Sequence, residues 1–126
     1  MCRKKRLIAV IDDDEPFRAA LVELLGSTAF DALGFASAEE FISSKHADAY
    51  DCIVTDIHLP GMSGIDLLRS LRSNQWSVPV ILITAYMTPW LEANLKSIDP
   101  ICLLMKPFSP DALTACIEKA FKGCKS

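Results

Sequence analysis

Asp12, Asp13 and Asp14 follow directly on the apolar run at 7–11, and a single carboxylate, Asp56, ends the apolar run at 52–55. Thr84 ends a third run, at 79–84, and Lys106 follows a fourth, at 101–105. If these runs are parallel strands, their C-terminal ends share one edge of a sheet. In open α/β sheets that edge is where ligands and chemistry sit. Three carboxylates, a hydroxyl and an ammonium would then converge. Packed carboxylates repel, so one stays protonated unless a cation joins them. Oxygen-only donors favour a hard ion, and Mg²⁺ with several retained waters suits two or three carboxylates. A carboxylate beside such an ion can act as a nucleophile and form an acyl phosphate. Phosphoryl transfer asks mainly for positioning and charge neutralisation. Mg²⁺ would neutralise one side of the group, Lys106 another, and the Thr84 hydroxyl would donate to a third, with Asp56 as acceptor. Each residue alone has a plainer reading: Asp before a turn is common turn chemistry, and Asp12 to Asp14 could simply favour a helix N-terminus. Their joint occurrence carries the chemical reading.

The elements that must position these groups are legible in order. The run LIAVI at 7–11 reads as a strand buried on both faces, as in parallel sheets. Phe17, Ala20, Leu21, Leu24 and Leu25 then recur at helical spacing, and Gly26 closes that helix. Residues 30–35 form a weaker strand, broken by Asp31 and Gly34, which belongs at a sheet edge. Ser37-Ala38-Glu39-Glu40 reads as a capping box opening a short helix. After Asp56, His58-Leu59-Pro60-Gly61 breaks the chain and Ser63 caps a third helix carrying Ile65, Leu68 and Leu71. PVILIT at 79–84 is the most apolar strand. Thr88-Pro89 and Ser109-Pro110 each pair a cap with a first-turn proline. They open a helix with Leu91, Leu95 and Ile98, and a last one with Leu113, Cys116, Ile117, Ala120 and Phe121, ended by Gly123. The alternation is βα five times with short connections, which implies a parallel sheet with helices on both faces.

The bulk numbers fit that class. A length of 126 residues suits one domain, taken as 1–126 with a core of about 6–122. Half the residues are hydrophobic, and the net charge of −3 favours no particular partner. The basic run Arg3 to Arg6 reads as a solvated flank of the first strand. No stretch reaches the length of a membrane span, and the short run after the basic residues, followed by three acids, is not a signal peptide. Five cysteines, an odd number without a CxxC pair, argue against a disulfide framework or a zinc site. Cys52, Cys102 and Cys116 read as small core residues, and a reduced cytoplasm is the expected location.

The segments IAVIDDDEPFR, DCIVTDIHLPGMSGIDLL, PVILITAY and MKPF span nearly the whole chain, and it resembles the receiver domain of two-component response regulators. The style of DDDEPFR is similar to the receivers of LuxR-type, FixJ-like regulators. The resemblance implies a flavodoxin-like, doubly wound (βα)5 fold with strand order 2-1-3-4-5. It implies Asp56 as the phosphoacceptor, and Asp12 and Asp13 as the acidic pair that holds Mg²⁺, with the backbone carbonyl of His58 as a further ligand. It implies Thr84 as the switch hydroxyl and Lys106 as the phosphate-pairing lysine, often before a cis Lys-Pro bond. In the family the positions of His58 and Tyr86 flank the path of the hydrolytic water, so the resemblance implies that they tune phosphate lifetime. The implied partners are a histidine kinase or phosphotransfer protein. A homodimer or output partner would use the face of the fourth helix, fifth strand and fifth helix, near Tyr86 and Trp90. Direct nucleic-acid binding, membrane contact and a classical enzyme activity are not expected.

The chain departs from the family at two places. Leu103 stands where the family usually has Phe or Tyr, and Pro100-Ile101 replaces the usual Gly-Ala. Switching would then run through the 84–86 loop and the fourth helix, or the domain would chiefly accept and pass on phosphate. Two alternatives remain. A degenerate receiver would be a phosphorylation-independent binding module, which the full set of Asp12, Asp13, Asp56, Thr84 and Lys106 opposes. A haloacid dehalogenase-like phosphatase would use Asp12-Asp13-Asp14 as its nucleophile motif. It needs a late acidic pair, and only Asp111 and Glu118 follow Lys106, both in the last helix.

Overall fold

The computed structural model describes residues 6–28, 30–44, 49–98 and 100–123. Strands and helices alternate as β1 (Arg6–Ile11), α1 (Glu15–Gly26), β2 (Phe30–Phe35), α2 (Ala38–Ser43), β3 (Cys52–Asp56), α3 (Gly64–Ser73), β4 (Val80–Thr84), α4 (Pro89–Leu95), β5 (Cys102–Met105) and α5 (Pro110–Gly123). All neighbouring strands pair in parallel, and their order is β2-β1-β3-β4-β5. This is the doubly wound (βα)5 arrangement that the alternation demands. The broken strand, β2, lies at an edge as expected.

Strand parity sorts the core into two layers, because successive side chains point to opposite faces. Ala9, Ile11, Ile53, Val80 and Leu82 pack with Phe41 of α2, Leu67, Leu68 and Leu71 of α3, and Leu91 of α4. Ile8, Val10, Cys52, Val54, Ile81 and Ile83 pack with Leu21 and Leu25 of α1 and with Leu113 and Ile117 of α5. β1, β3 and β4 are thus covered on both sides, which is why they read as continuous apolar runs rather than alternating ones.

Side-chain caps start the helices where the sequence places them. Ser63 and Asp66 form a reciprocal capping box at α3, and Thr88 Oγ1 accepts from the Leu91 amide at α4. Ser109 Oγ accepts from the Ala112 amide at α5. At α2 the box is only half made: Ser37 accepts from the Glu40 amide, while the Glu40 carboxylate takes the amide of Ala36 instead of that of Ser37. Gly26 is the last residue of α1 and not a left-handed cap; Ser27 caps that end in a right-handed conformation.

Two cysteines depart from the sequence reading. Cys102 of β5 and Cys116 of α5 are joined as a disulfide, with Cα atoms 6.0 Å apart. They do not sit as separate core thiols. A strand and the helix that follows it share one layer, so two residues 14 apart in sequence come within disulfide range. Spacing arithmetic, which looks for CxxC pairs, does not register that proximity. Cys52 is buried in β3 as expected. Arg6 ends the basic run inside β1, with its guanidinium over the Phe121 ring at 4.4 Å; Arg3, Lys4 and Lys5 lie outside the described residues.

The close approach of α3 to the end of β3 depends on Gly64. Its amide donates to the Ile57 carbonyl at 3.0 Å. A Cβ there would lie 2.5 Å from the Asp56 carbonyl oxygen and 3.0 Å from Ile57 Cα, both backbone atoms. Gly64→Ala is therefore expected to lower stability by about 2 kcal/mol, the scale of overpacking a close contact. Urea denaturation checks this, and an unchanged midpoint would contradict the packing.

Candidate functional site

The site is built from strand ends in register. Ile11 pairs with Thr55, so the residues that follow them, Asp12 and Asp56, stand side by side. Thr84 pairs with Met105, and the Lys106 amide extends that ladder onto the Thr84 carbonyl at 2.8 Å. Carboxylate oxygens of Asp12, Asp13 and Asp56 lie within 4.8 Å of one another. Asp12 and Asp56 are buried, at 1% and 7% exposure, while Asp13 is exposed. Lys106 follows β5 and precedes a cis Lys106-Pro107 bond. Its Nζ lies 3.0 Å from Asp56 Oδ2 and 3.3 Å from Asp12 Oδ2.

Each acid is oriented from the backbone. Asp12 Oδ1 accepts from the Asp14 amide at 2.9 Å, and Asp56 Oδ1 accepts from the His58 amide at 2.9 Å. Asp14 turns away to cap α1, accepting from the Phe17 amide. The second oxygens of Asp12 and Asp56 are left to face Lys106. Three carboxylates and one ammonium leave the cluster two negative charges in excess when all are ionised. At ~4.8 Å and an effective dielectric of about 20, one ionised pair costs about 3 kcal/mol.

The electrostatics follow from burial and from these partners. Burial pushes the Asp12 carboxyl above its ordinary value, and the charge of Asp56 adds to the rise against the opposing Asp14 amide and Lys106. Burial alone would lower the Lys106 ammonium. The hydrogen bond and charge of Asp56, with those of Asp12, outweigh it and leave Lys106 above its ordinary value.

Several supporting residues escaped the sequence reading. Phe17 of α1 carries the Lys106 ammonium 4.2 Å from its ring centroid, and Phe108 packs edge-on against Phe17. Arg18 donates to the Asp12 carbonyl at 2.8 Å. Glu39 of α2 accepts from the Met62 amide at 2.8 Å and so holds the loop between β3 and α3, where Gly61 has φ +77°. Nothing in residue type or spacing marks these long-range contacts. Only the left-handed turn had a signal, Pro60-Gly61.

Thr84 is fully buried, and its hydroxyl is not directed at the acids. It donates to the Tyr86 carbonyl at 2.8 Å and accepts from the Tyr86 amide at 3.3 Å. Thr84 shares parity with Val80 and Leu82, which face α2 to α4. Asp56 shares parity with Cys52 and Val54, which face α1 and α5. The Tyr86 ring, exposed to 55%, stacks on His58 with centroids 4.9 Å apart. Leu103 is half-buried against the layer of α2 to α4.

A family model described as the response regulator receiver domain matches residues 8–118. The chain is a response regulator receiver domain. It is 34% identical over 115 residues to the transcriptional regulatory protein FixJ of Bradyrhizobium diazoefficiens, covering 91% of this chain and 56% of that protein. The chain spans about half the length of the curated relatives it matches. The crystal structure of FixJ-N superposes with a TM-score of 0.82 at 28% identity, covering 94% of each chain. The response regulator StyR superposes with a TM-score of 0.80 at 33% identity, over 94% of this chain and 60% of that one. The acidic pocket of Asp12, Asp13 and Asp56 fits an Mg²⁺ phosphoacceptor site: the donors are all oxygens, and a divalent ion cancels their excess charge. Receiver domains are signalling phosphoacceptors that work with histidine kinases and output domains. Among the described residues no helix is long and apolar enough to cross a membrane.

A raised Asp12 carboxyl has a definite consequence for metal-free stability. The folded chain holds the proton more tightly than the unfolded one. The contribution of this group to stability is therefore fully present below the ordinary carboxylate range and is lost as pH rises through the raised folded value. Asp12→Asn should raise the metal-free melting temperature at pH 7, by roughly 1 kcal/mol equivalent, and flatten the pH dependence above the ordinary carboxylate range. Thermal denaturation in EDTA checks it; a less stable variant at pH 7 would contradict the repulsion.

Proposed function

We propose that Asp56 accepts a phosphoryl group from a histidine kinase or phosphotransfer protein, with Mg²⁺ held by Asp12, Asp13, Asp56 and the His58 carbonyl. The observation that carries this is the Lys106 ammonium spanning Asp12 and Asp56 above a carboxylate cluster with two excess negative charges. In this reading the whole chain, 1–126, is one receiver domain with its core at about 6–122, working in the cytoplasm. Bound Mg²⁺ would supply charge neutralisation for the phosphoryl oxygens.

The chain's own residues do the rest. The His58 amide fixes the plane of the Asp56 carboxylate by holding Oδ1. Oδ2 attacks phosphorus; a P–O bond to Asp56 forms as the bond to the donor breaks, and the donor leaves with that electron pair. Lys106 moves from Oδ2 to a phosphoryl oxygen, a short shift while Phe17 supports the ammonium from beneath. Thr84 gives up the Tyr86 carbonyl and donates to another phosphoryl oxygen. That exchange releases the loop leading into α4, which begins at Pro89, and so biases a surface between two states. Trp90 and Met105, exposed to 57% and 45%, supply apolar area on the α4–β5 side for a homodimer or output partner. Leu103 follows by repacking in its layer in place of an aromatic swing. The stacked His58 and Tyr86 rings shield the acyl phosphate from water and set its lifetime.

Intact-mass spectrometry after incubation with acetyl phosphate tests the assignment. One phosphoryl group should add in Mg²⁺, none in EDTA, and none to Asp56→Asn. Full uptake by that variant would sink the reading. Lys106→Ala should retain Mg²⁺ binding but lose the phosphorylation-dependent change in Trp90 fluorescence, read against a Trp76→Phe background. An unaltered response would remove Lys106 from the switch.

A further inference from the structure

The disulfide between β5 and α5 encloses the loop that carries Lys106. Cys102 lies four residues before that lysine and Cys116 ten after it. Lys106 in turn spans Asp12 and Asp56, so in sequence the two cysteines flank the lysine the site depends on. The sulfurs differ in access: Cys116 is 9% exposed, whereas Cys102 is only half-buried. Around them, α5 is held by Leu113, Ile117 and Ala120 in the second core layer. Without the disulfide, packing alone would keep that helix in register with β5.

We propose that Cys102 and Cys116 are a reversible redox modification site, oxidised by a low-molecular-weight disulfide of the glutathione class, whose oxidised form restrains the Lys106 loop. The chemistry balances as two exchanges. The accessible Cys102 thiolate attacks the oxidant, forms a mixed disulfide and releases one glutathione thiolate. The Cys116 thiolate then attacks the Cys102 sulfur, closes the bond between the two residues and releases the second glutathione thiolate. Two protons from the protein thiols go to the released thiolates, and two electrons pass to the oxidant. The single bond ties the first residue of β5 to the second turn of α5, the two elements between which the Lys106 loop runs, and so limits the shift Lys106 must make from carboxylate to phosphoryl oxygen. That last step rests on the phosphoacceptor reading; the thiol chemistry does not.

The test uses the full chain with Cys2→Ser and Cys124→Ser, so that Cys52, Cys102 and Cys116 are its only cysteines. The protein is equilibrated at graded ratios of oxidised to reduced glutathione, quenched in acid, unfolded, alkylated and mapped by peptide mass. Cys102 and Cys116 should lose alkylation together in one transition, while Cys52 stays alkylated throughout. Cys116→Ser should instead accumulate a glutathione adduct on Cys102. Alkylation of Cys102 and Cys116 at every ratio, or a lasting adduct on Cys102 in the presence of Cys116, would overturn the site. Oxidised protein should take up phosphoryl from acetyl phosphate several-fold more slowly than reduced protein, and Cys102→Ser should abolish the difference. Equal rates would overturn the restraint on Lys106. No uptake in either state would count against the phosphoacceptor reading, with alkylation still deciding the thiol site.

Discussion

One ammonium between two buried carboxylates is the constraint on which the rest of the structure depends. Lys106 answers part of the charge of Asp12 and Asp56, at 3.3 and 3.0 Å, and Asp13 adds a third acid nearby. The balance is incomplete, and that incompleteness makes the edge receptive. In the proposed function a divalent cation would relieve the acids, and a phosphoryl group would give the ammonium a better partner than a shared carboxylate. Interactions of this kind lower metal-free stability and are retained at functional sites.

The scaffold makes such an arrangement tolerable. β1 and β3 are buried on both sides by two apolar layers, so the strand ends are rigid mounts. Parallel pairing sets Asp12 beside Asp56 and carries Lys106 to the same edge. The close packing at Gly64 brings the N-terminus of α3 against the end of β3. Arg18 and Glu39 brace the loops on either side. The group that the proposed switch must move is small by comparison: the Thr84 hydroxyl, engaged with the Tyr86 backbone, would exchange one partner for another.

What the sequence made legible was what depends on period, punctuation and local spacing. Apolar runs ending in charged residues marked β1, β3 and β5, and Ser63, Thr88 and Ser109 marked helix starts because capping is chemistry within four residues. The convergence of Asp12, Asp13, Asp56 and Lys106 followed from parallel topology alone. The direction of the Thr84 hydroxyl was not legible, since a strand-end side chain can serve either its own loop or the neighbouring strand. The Cys102–Cys116 pairing, the Phe17 ring beneath Lys106 and the Arg18 contact to Asp12 were also hidden. Each is a meeting of side chains from elements whose relative placement no local pattern encodes.

In the proposed switch the site exchanges partners in concert: Lys106 would leave a carboxylate and Thr84 would leave the Tyr86 carbonyl for the same phosphoryl group. The most direct measurement is a crystal structure of the chain with Mg²⁺ and beryllofluoride, a stable mimic of the acyl phosphate. Beryllium is expected on Asp56 Oδ2, with fluorides accepting from Lys106 Nζ and Thr84 Oγ1. A mimic bound on Asp56 with Thr84 still donating to the Tyr86 carbonyl, or with Lys106 still on the carboxylates, would contradict it.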